Sequence, residues 1–341
     1  MLQGRILVTG AAGYVGSVLC RQLLEQGFLV RGVDALLFGA AGIAALRTSP
    51  AFEFVQADLC GAGVAESSVK GVEAVIHLAA IVGDPACERY PVEAAALMDA
   101  ASRTLFEAAE AAGARKFIFA STCSNYGQME GEGLLGENAP LRPLSHYSRL
   151  KVGFEKYLLQ RMPGSPAAIT VLRFATAYGL SPRMRFDLTV NHFTRDLAFG
   201  RRLEVFGLHQ WRPYGHVEDL ASAAVLALNQ PPSRSAGIFN IGDSSENYSK
   251  AMLIDEVLKE VPDGRVVLTP DNGSDRRNYR VDFSKAGRQL GFKTTRRVPD
   301  GIREILSAFC LAQFRDPFDP VYQNCQPGPG HPAGPGGSPE P

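Results

Sequence analysis

Arg5-Ile6-Leu7-Val8-Thr9-Gly10-Ala11-Ala12-Gly13-Tyr14-Val15-Gly16 is the stretch on which the fold turns. Its first five residues form a short aliphatic run that reads as a buried strand. Three glycines follow, and a helical pattern runs from Gly16 to about Gln26. A glycine motif alone is weak, but a strand before it and a helix after it make it informative. Glycines let the backbone turn tightly and approach a pyrophosphate. The helix N-terminus adds unpaired N–H groups and the positive end of a dipole. A plain tight strand–helix turn is the competing reading, and the spacing is GxxGxxG rather than GxGxxG.

The same rhythm continues outward. Strands are expected near 28–33, 52–56, 74–78, 116–120 and 169–173, and a long Ala-rich helix from about 91 to 112. A further helix carries Tyr147 and Lys151. Strands alternating with helices predict crossover units and a parallel sheet. The expected class is α/β: a Rossmann-type doubly wound parallel sheet with a smaller C-terminal α+β substrate lobe. After about 180 the alternation weakens, with helices expected near 187–199, 218–228, 249–260 and 299–313. We therefore expect a nucleotide-binding domain over 1–180, with later segments free to return to it, and a substrate lobe over 181–325. The Pro/Gly-rich stretch 326–341 is expected to be disordered.

Composition narrows the partners. The chain of 341 residues has a formal net charge of zero and 45% hydrophobic residues, which argues against nucleic acid or an anionic membrane. No run of 18 apolar residues predicts a membrane span. The N-terminus enters a strand with no signal-peptide pattern. The six cysteines lack CxxC spacing and read as reduced thiols in a cytoplasmic protein. No His/Cys/Asp grouping has metal-ligand spacing.

Tyr147 and Lys151 stand four residues apart, hence on one helix face. An ammonium beside a phenol favours the phenolate. Tyrosine ordinarily titrates near 10, so a base at neutral pH needs a drop of roughly three units, about 4 kcal/mol. The pair therefore points to redox chemistry at a carbinol carbon. With ten tyrosines in the chain the spacing arises easily by chance, so it needs a cofactor to give it meaning. Asp34 ends the second strand, where a carboxylate accepts both adenosine ribose hydroxyls and repels a 2′-phosphate. That favours NAD over NADP, tempered by Arg31 and Arg47. Asp58, with Leu59, follows the third strand, placed either to meet the adenine or to cap a turn.

As a set, these motifs resemble the extended short-chain dehydrogenase/reductase family, in its NAD-dependent nucleotide-sugar epimerase/dehydratase branch. The resemblance covers roughly residues 4–312. It adds His77-Leu78-Ala79-Ala80, Ser121-Thr122 with Tyr126-Gly127, Leu172-Arg173-Phe174 with Tyr178-Gly179, and Arg212-Pro213-Tyr214 ahead of Val217-Glu218-Asp219-Leu220. It implies that Gly10, Gly13, Tyr14, Val15, Gly16, Leu78, Ala79 and Ala80 line the cofactor. It makes Thr122 the hydroxyl that positions the sugar's reacting oxygen, Tyr147 the acid/base, and Lys151 the ribose ligand that tunes it. Hydride passes between a sugar carbon and the nicotinamide.

Departures from the pattern select the reaction. The 4,6-dehydratases of this branch carry Asp-Glu directly after the threonine, and the decarboxylases a Glu at the second place. Here Cys123 and Ser124 stand there. A C4 epimerase is the reading that follows, with a 4-ketoreductase as its alternative and a non-catalytic redox sensor as a reading from another class. Cys123 reads either as an acid/base or as a small packing residue. Met98 stands near where the family usually has an Asn.

At the substrate end, the resemblance implies that Arg212 clamps a diphosphate, that Asn191 contacts it, and that Arg277 contacts phosphate or ribose. Arg183 and Arg185 are expected to face the substrate. His77 reads as a structural histidine, with His146 and His216 open. The helices near 91–112 and 147–162 resemble those that pair subunits, so a homodimer is expected.

Overall fold

The computed structural model describes residues 4–270 and 276–324, so the tail expected to be disordered lies outside the described residues. The strands are β1 (Arg5–Thr9), β2 (Leu29–Asp34), β3 (Phe52–Gln56), β4 (Val72–His77), β5 (Lys116–Thr122) and β6 (Ala168–Phe174), then β7 (Thr176–Tyr178), β8 (Leu203–Val205), β9 (Trp211–His216), β10 (Gly237–Ile241), β11 (Asn247–Ser249) and β12 (Val266–Leu268). Seven of them form one sheet in the order β10-β6-β5-β4-β1-β2-β3, every pair parallel. The α/β class and the doubly wound parallel sheet are as the sequence predicts.

Period-two alternation explains why β1 is apolar throughout. Ile6 and Val8 face one cluster with the helix Tyr14–Glu25. Leu7 faces the other with Phe117, Phe119 and Phe154. Strands buried on both faces need apolar residues on both. The chain runs outward from β1 to β3 on one side and from β4 to β10 on the other, so the winding reverses between β1 and β4. In open sheets of this kind a crevice opens there, beyond the carboxyl ends of the strands.

Residues after 180 do return to the sheet. β10 pairs with β6 from Gly237↔Thr170 to Ile241↔Phe174. The helix Val217–Asn229 packs on Tyr14–Glu25, with Arg21 and Gln22 both bonded to Glu218. Its C-terminal end is pinned by the buried Lys116, whose Nζ donates to the carbonyls of Ala227 at 3.0 Å, Leu228 at 2.7 Å, and Gln230. A cation on the last carbonyls satisfies groups a helix leaves unpaired and suits its dipole. The smaller lobe holds the sheet β11-β9-β7, the pair β12-β8, and the helices Thr189–Ala198, Lys250–Glu260 and Val298–Cys310 around Tyr178, Phe193, Tyr214 and Ile302.

The helix expected over 91–112 is not continuous. It is α-helical over Pro91–Ala95, widens to a π-helix over Ala96–Ala101, and resumes over Ser102–Ala111. Ser102 Oγ donates to the Leu97 carbonyl five residues back, at 2.8 Å, and His77 Nε2 meets the same hydroxyl at 2.9 Å. Such bulges recur near functional sites. This one seats Met98, 3% exposed, in a small cluster with Ile81, Ala86 and Cys87, against which Tyr147 packs. A flexible thioether suits that irregular gap.

Candidate active site

A cleft of about 840 Å³ opens beyond the carboxyl ends of the strands and extends to the smaller lobe. That is near the upper end of the usual range for small-molecule sites. The glycine turn forms its floor. Gly10 has φ +74, and a Cβ there would lie 2.9 Å from Ala79 N. A Cβ on Gly16 would lie 2.0 Å from Gly10 O, so no other residue permits this turn. Asp34 Oδ2 accepts the Ala12 N–H at 3.0 Å and Oδ1 the Leu36 N–H at 2.8 Å. Each oxygen keeps a lone pair for a further donor. Burial pushes this carboxyl up from its ordinary value. Arg31, a possible attractor for a 2′-phosphate, is committed to the carbonyls of Ser68 and Lys70 and to Glu53. Arg47 lies over Phe54. Asp58 lines the cleft, and its Oδ1 also accepts the Cys60 N–H at 2.9 Å, as a turn cap does. Tyr14, Val15, Leu59, Leu78, Ala79 and Ala80 line it as well.

Tyr147 and Lys151 sit on the helix His146–Arg161. Its start is set by a capping box. The Ser148 N–H donates to Ser145 Oγ at 3.2 Å, and the Ser145 N–H to Ser148 Oγ at 3.1 Å. This satisfies donors that would otherwise be unpaired and fixes where along the cleft the two side chains emerge. Lys151 Nζ donates to the Ala120 carbonyl at 2.8 Å and stands 5.8 Å from the centroid of the Tyr147 ring. Burial brings the lysine's pKa down to about 8.

The phenol departs from expectation. Burial, then the Cys87 thiol and the Asp84 carboxylate, push Tyr147 above its ordinary value, and Arg185 opposes them. The lysine by itself does not produce a phenolate: its hydrogen bond goes to the backbone, and burial is the largest influence on the phenol. A dinucleotide held by the glycine turn and Asp34 would bring a positive nicotinamide, a charge of the right sign to favour the phenolate.

Thr122 lines the cleft, with Oγ1 accepting the Ser124 N–H at 3.1 Å and donating to Ser124 Oγ at 3.0 Å. Cys123 is not brought there. A 3-10 turn over Cys123–Tyr126 rotates it inward, where Sγ donates to the Arg173 carbonyl at 3.2 Å among Tyr126, Ala175 and Tyr279. Burial pushes its thiol well up, away from thiolate chemistry. Of its two sequence readings, packing is what the structure displays.

Among the substrate candidates, Arg183, Arg185, Arg212 and Arg277 line the cleft. Asn191 does not. It is fully buried, with Oδ1 accepting the Gly179 N–H at 3.0 Å and Nδ2 donating to the Arg185 carbonyl and the Tyr14 hydroxyl. Its amide braces the cleft wall from behind. Arg185 is held on both oxygens of Asp187, at 3.1 and 2.6 Å. Arg212 donates to the carbonyls of Trp211 and Arg277 and lies over Tyr279.

His77 is buried between Thr9 Oγ1 at 2.7 Å and Ser102 Oγ at 2.9 Å. Burial drops its pKa to about 3, so it is a neutral strut. His216 bonds Glu304 at 2.8 Å and caps the helix behind it. His146 meets the Pro91 carbonyl at 3.3 Å.

Two features went unread in the sequence. Asp84 lines the cleft, with Oδ2 2.7 Å from Arg277 Nη1 and a buried Oδ1 without a hydrogen-bond partner among the described residues. Gly83-Asp84-Pro85 signals a helix start, but not what its carboxylate faces. Behind Thr122, Glu155 accepts from Ser121, Asn125 and Arg173, the last through Nε and Nη2. Glu155 lies four residues after Lys151, on the same helix face. Among the described residues no His/Cys/Asp/Glu group is set to hold a metal ion, and no helix is long and apolar enough to cross a membrane.

The family model for the NAD dependent epimerase/dehydratase family matches residues 6–242. The chain belongs to that family. This member is 29% identical over 312 residues to a Bacillus subtilis protein described as an uncharacterized UDP-glucose epimerase, covering 87% of this chain and 95% of that one. It is also 29% identical to a dTDP-glucose 4,6-dehydratase of Streptomyces griseus, covering 87% and 91%. The crystal structure of the Bacillus cereus UDP-glucuronic acid 4-epimerase, in complex with UDP-glucuronic acid and NAD, superposes with a TM-score of 0.82 at 26% identity, over 90% of this chain and 99% of that one. NAD is the cofactor of the family, and the glycine turn, Asp34 and Lys151 of this member fit it.

Proposed function

We propose that the protein is an NAD-dependent epimerase of a nucleotide sugar, acting at C4. One observation carries this reading. The residues after Thr122, Cys123 and Ser124, carry no carboxylate; Ser124 offers the cleft a hydroxyl and Cys123 is turned into the core. Elimination of water needs a further acid/base beside the ring, in addition to the group that serves the C4 hydroxyl; reversal of one carbinol centre needs only the latter. The relatives include both epimerases and dehydratases, and this pair of positions favours the first.

Bound NAD supplies reversible hydride acceptance. In this reading Gly10, Gly13, Gly16 and Asp34 hold its adenosine half and Lys151 its nicotinamide ribose. Tyr147 takes the proton of the C4 hydroxyl and later returns it. The Thr122 hydroxyl keeps that oxygen in place. Arg212 and Arg277, with a planar charge suited to paired phosphate oxygens, receive the diphosphate of the substrate. A homodimer paired through the helices over 91–111 and 146–161, resident in the cytoplasm, belongs to the same proposal.

Purified protein incubated with a panel of UDP- and dTDP-hexoses, followed by proton NMR, tests it. Interconversion of C4 epimers without added reduced cofactor is expected, and Tyr147→Phe should lose at least a hundredfold in kcat while retaining NAD. Stoichiometric consumption of NADH would mark a ketoreductase instead. A 4-keto-6-deoxy product would mark a dehydratase. Light scattering should return twice the chain mass.

A further inference from the structure

Arg183 is a buried cation whose hydrogen bonds are largely unmade. The residue is 4% exposed, yet Nε and Nη1 have no hydrogen-bond partner among the described residues. Nη2 reaches only the Gln323 carbonyl, at 3.5 Å, beyond the usual range of such bonds. Its guanidinium lies over the Phe38 ring, 4.5 Å from the centroid. The contrast with Arg185, two residues on and saturated by Asp187, is sharp. Burying a charge with its donors unsatisfied is costly, and native chains seldom leave such a group without a function. Burial, with Arg185 nearby, brings its pKa down to about 10.

Its surroundings identify what would pair with it. Ser181 Oγ donates to the Tyr14 carbonyl at 2.7 Å and meets Ser17 Oγ at 3.1 Å, so residues 181–183 ride on the first turn of the glycine-turn helix. Gly42 closes in beneath. A Cβ there would fall 2.3 Å from Ala12 O and 3.2 Å from Arg183 Cβ. Phe38 lies four residues beyond Asp34, and Asp34 is one of the acids whose field reaches the guanidinium. Arg183 thus stands between the glycine turn and the loop after β2, on the adenosine side of the cleft. Sequence alone placed it with the substrate.

We propose that Arg183 is a ligand of the cofactor's diphosphate, a cation beside the helix N-terminus rather than a contact to the substrate. The C-terminal segment holds it in place. The Phe186 N–H donates to the Tyr322 carbonyl at 2.9 Å, Tyr322 packs edge-on to Phe186, and Asn324 Nδ2 donates to the Val82 carbonyl at 3.2 Å. Asn324 thus ties the segment 320–324 to the loop after β4, and with Gln323 it roofs this part of the cleft. A guanidinium and the helix N–H groups together suit a diphosphate better than either alone.

Full-length protein, stripped of nucleotide, carrying Arg183→Ala, Arg183→Gln or Arg183→Lys, is titrated calorimetrically with NAD, NADP and UDP. NAD affinity should fall at least tenfold in the alanine and glutamine variants and less in the lysine variant, with UDP affinity changed less than twofold. The melting temperature without nucleotide should hold in the glutamine and lysine variants, while the rise caused by NAD shrinks. Unchanged NAD affinity would overturn the proposal, as would a UDP affinity that falls as far as that for NAD. NADP binding the wild type more tightly than NAD, with that preference lost on substitution, would also overturn it, since the arginine would then serve a 2′-phosphate. None of these readouts depends on which sugar is turned over.

Discussion

The Lys151 ammonium stands 5.8 Å from the centroid of the Tyr147 ring and gives its hydrogen bond to the Ala120 carbonyl instead. The two residues share a helix face and a cleft, but the lysine's hydrogen bond is made to the backbone and not to the phenol. With the lysine's pKa brought down to about 8 by burial, it is charged below that pH and neutral above it. NAD affinity should therefore weaken as pH is raised from 7 to 9.5. Calorimetric titration across that range should show the fall in the wild type and a flat profile in Lys151→Met.

Asp84 adds negative charge near Tyr147, and a like charge raises a phenol's pKa. Removing it should make the tyrosine easier to ionise. In Asp84→Asn the acid limb of the pH–kcat profile should move to lower pH by roughly half a unit to one unit. KM for the nucleotide sugar should rise as Arg277 loses the ion pair that holds it at the cleft. An acid limb that stays in place would show that the carboxylate does not act on the tyrosine.

Glu155 and Arg173 form a buried ion pair, 1% and 3% exposed at their side chains and 2.8 Å apart. Removing one partner leaves the other charge buried alone, which costs about 3–5 kcal/mol. Glu155→Gln should lower stability by that order in urea or thermal denaturation. Because the same carboxylate holds Ser121 and Asn125, kcat should fall further than the loss of folded protein explains.

Gly16→Ala would place a methyl carbon 2.0 Å from the Gly10 carbonyl oxygen. The turn must open to admit it. Loss of NAD binding, read as absence of an NAD-induced melting shift, is expected alongside a lower melting temperature. Gly153, where a Cβ meets nothing within 4 Å, serves as the control: Gly153→Ala should leave NAD binding unchanged.

What could be read in the sequence follows a physical division. The strand–turn–helix at 5–26 and the strands that alternate with it are local patterns set by periodicity, and they appear where expected. The cleft residues on strand ends and on the first turn of a helix were legible for the same reason, since their direction follows from the element they sit on. Asn191 was misplaced, and the two readings of Cys123 stayed open, because a side chain's direction within a turn or a buried helix depends on neighbours distant in sequence. The π-turn over Ala96–Ala101 left no periodic signal, since it depends on one serine hydroxyl meeting His77. Arg183 was seen as a cation, but its side of the cleft depends on Phe38 and Gly42, some 140 residues earlier.

The pairing of β10 with β6 also bears on how the chain is made. When a ribosome has released residues up to 180, six of the seven strands exist, and β6 presents a bare edge with its hydrogen-bonding groups open. Exposed edges of this kind invite pairing with other chains, and large parallel sheets close slowly. The edge is covered only once Gly237–Ile241 has emerged, some sixty residues later. By then most of the smaller lobe's β-strands have been synthesised between the two partners. The sheet therefore cannot be finished before much of the smaller lobe exists, and a nascent chain arrested between residues 180 and 237 would be a natural client for a chaperone.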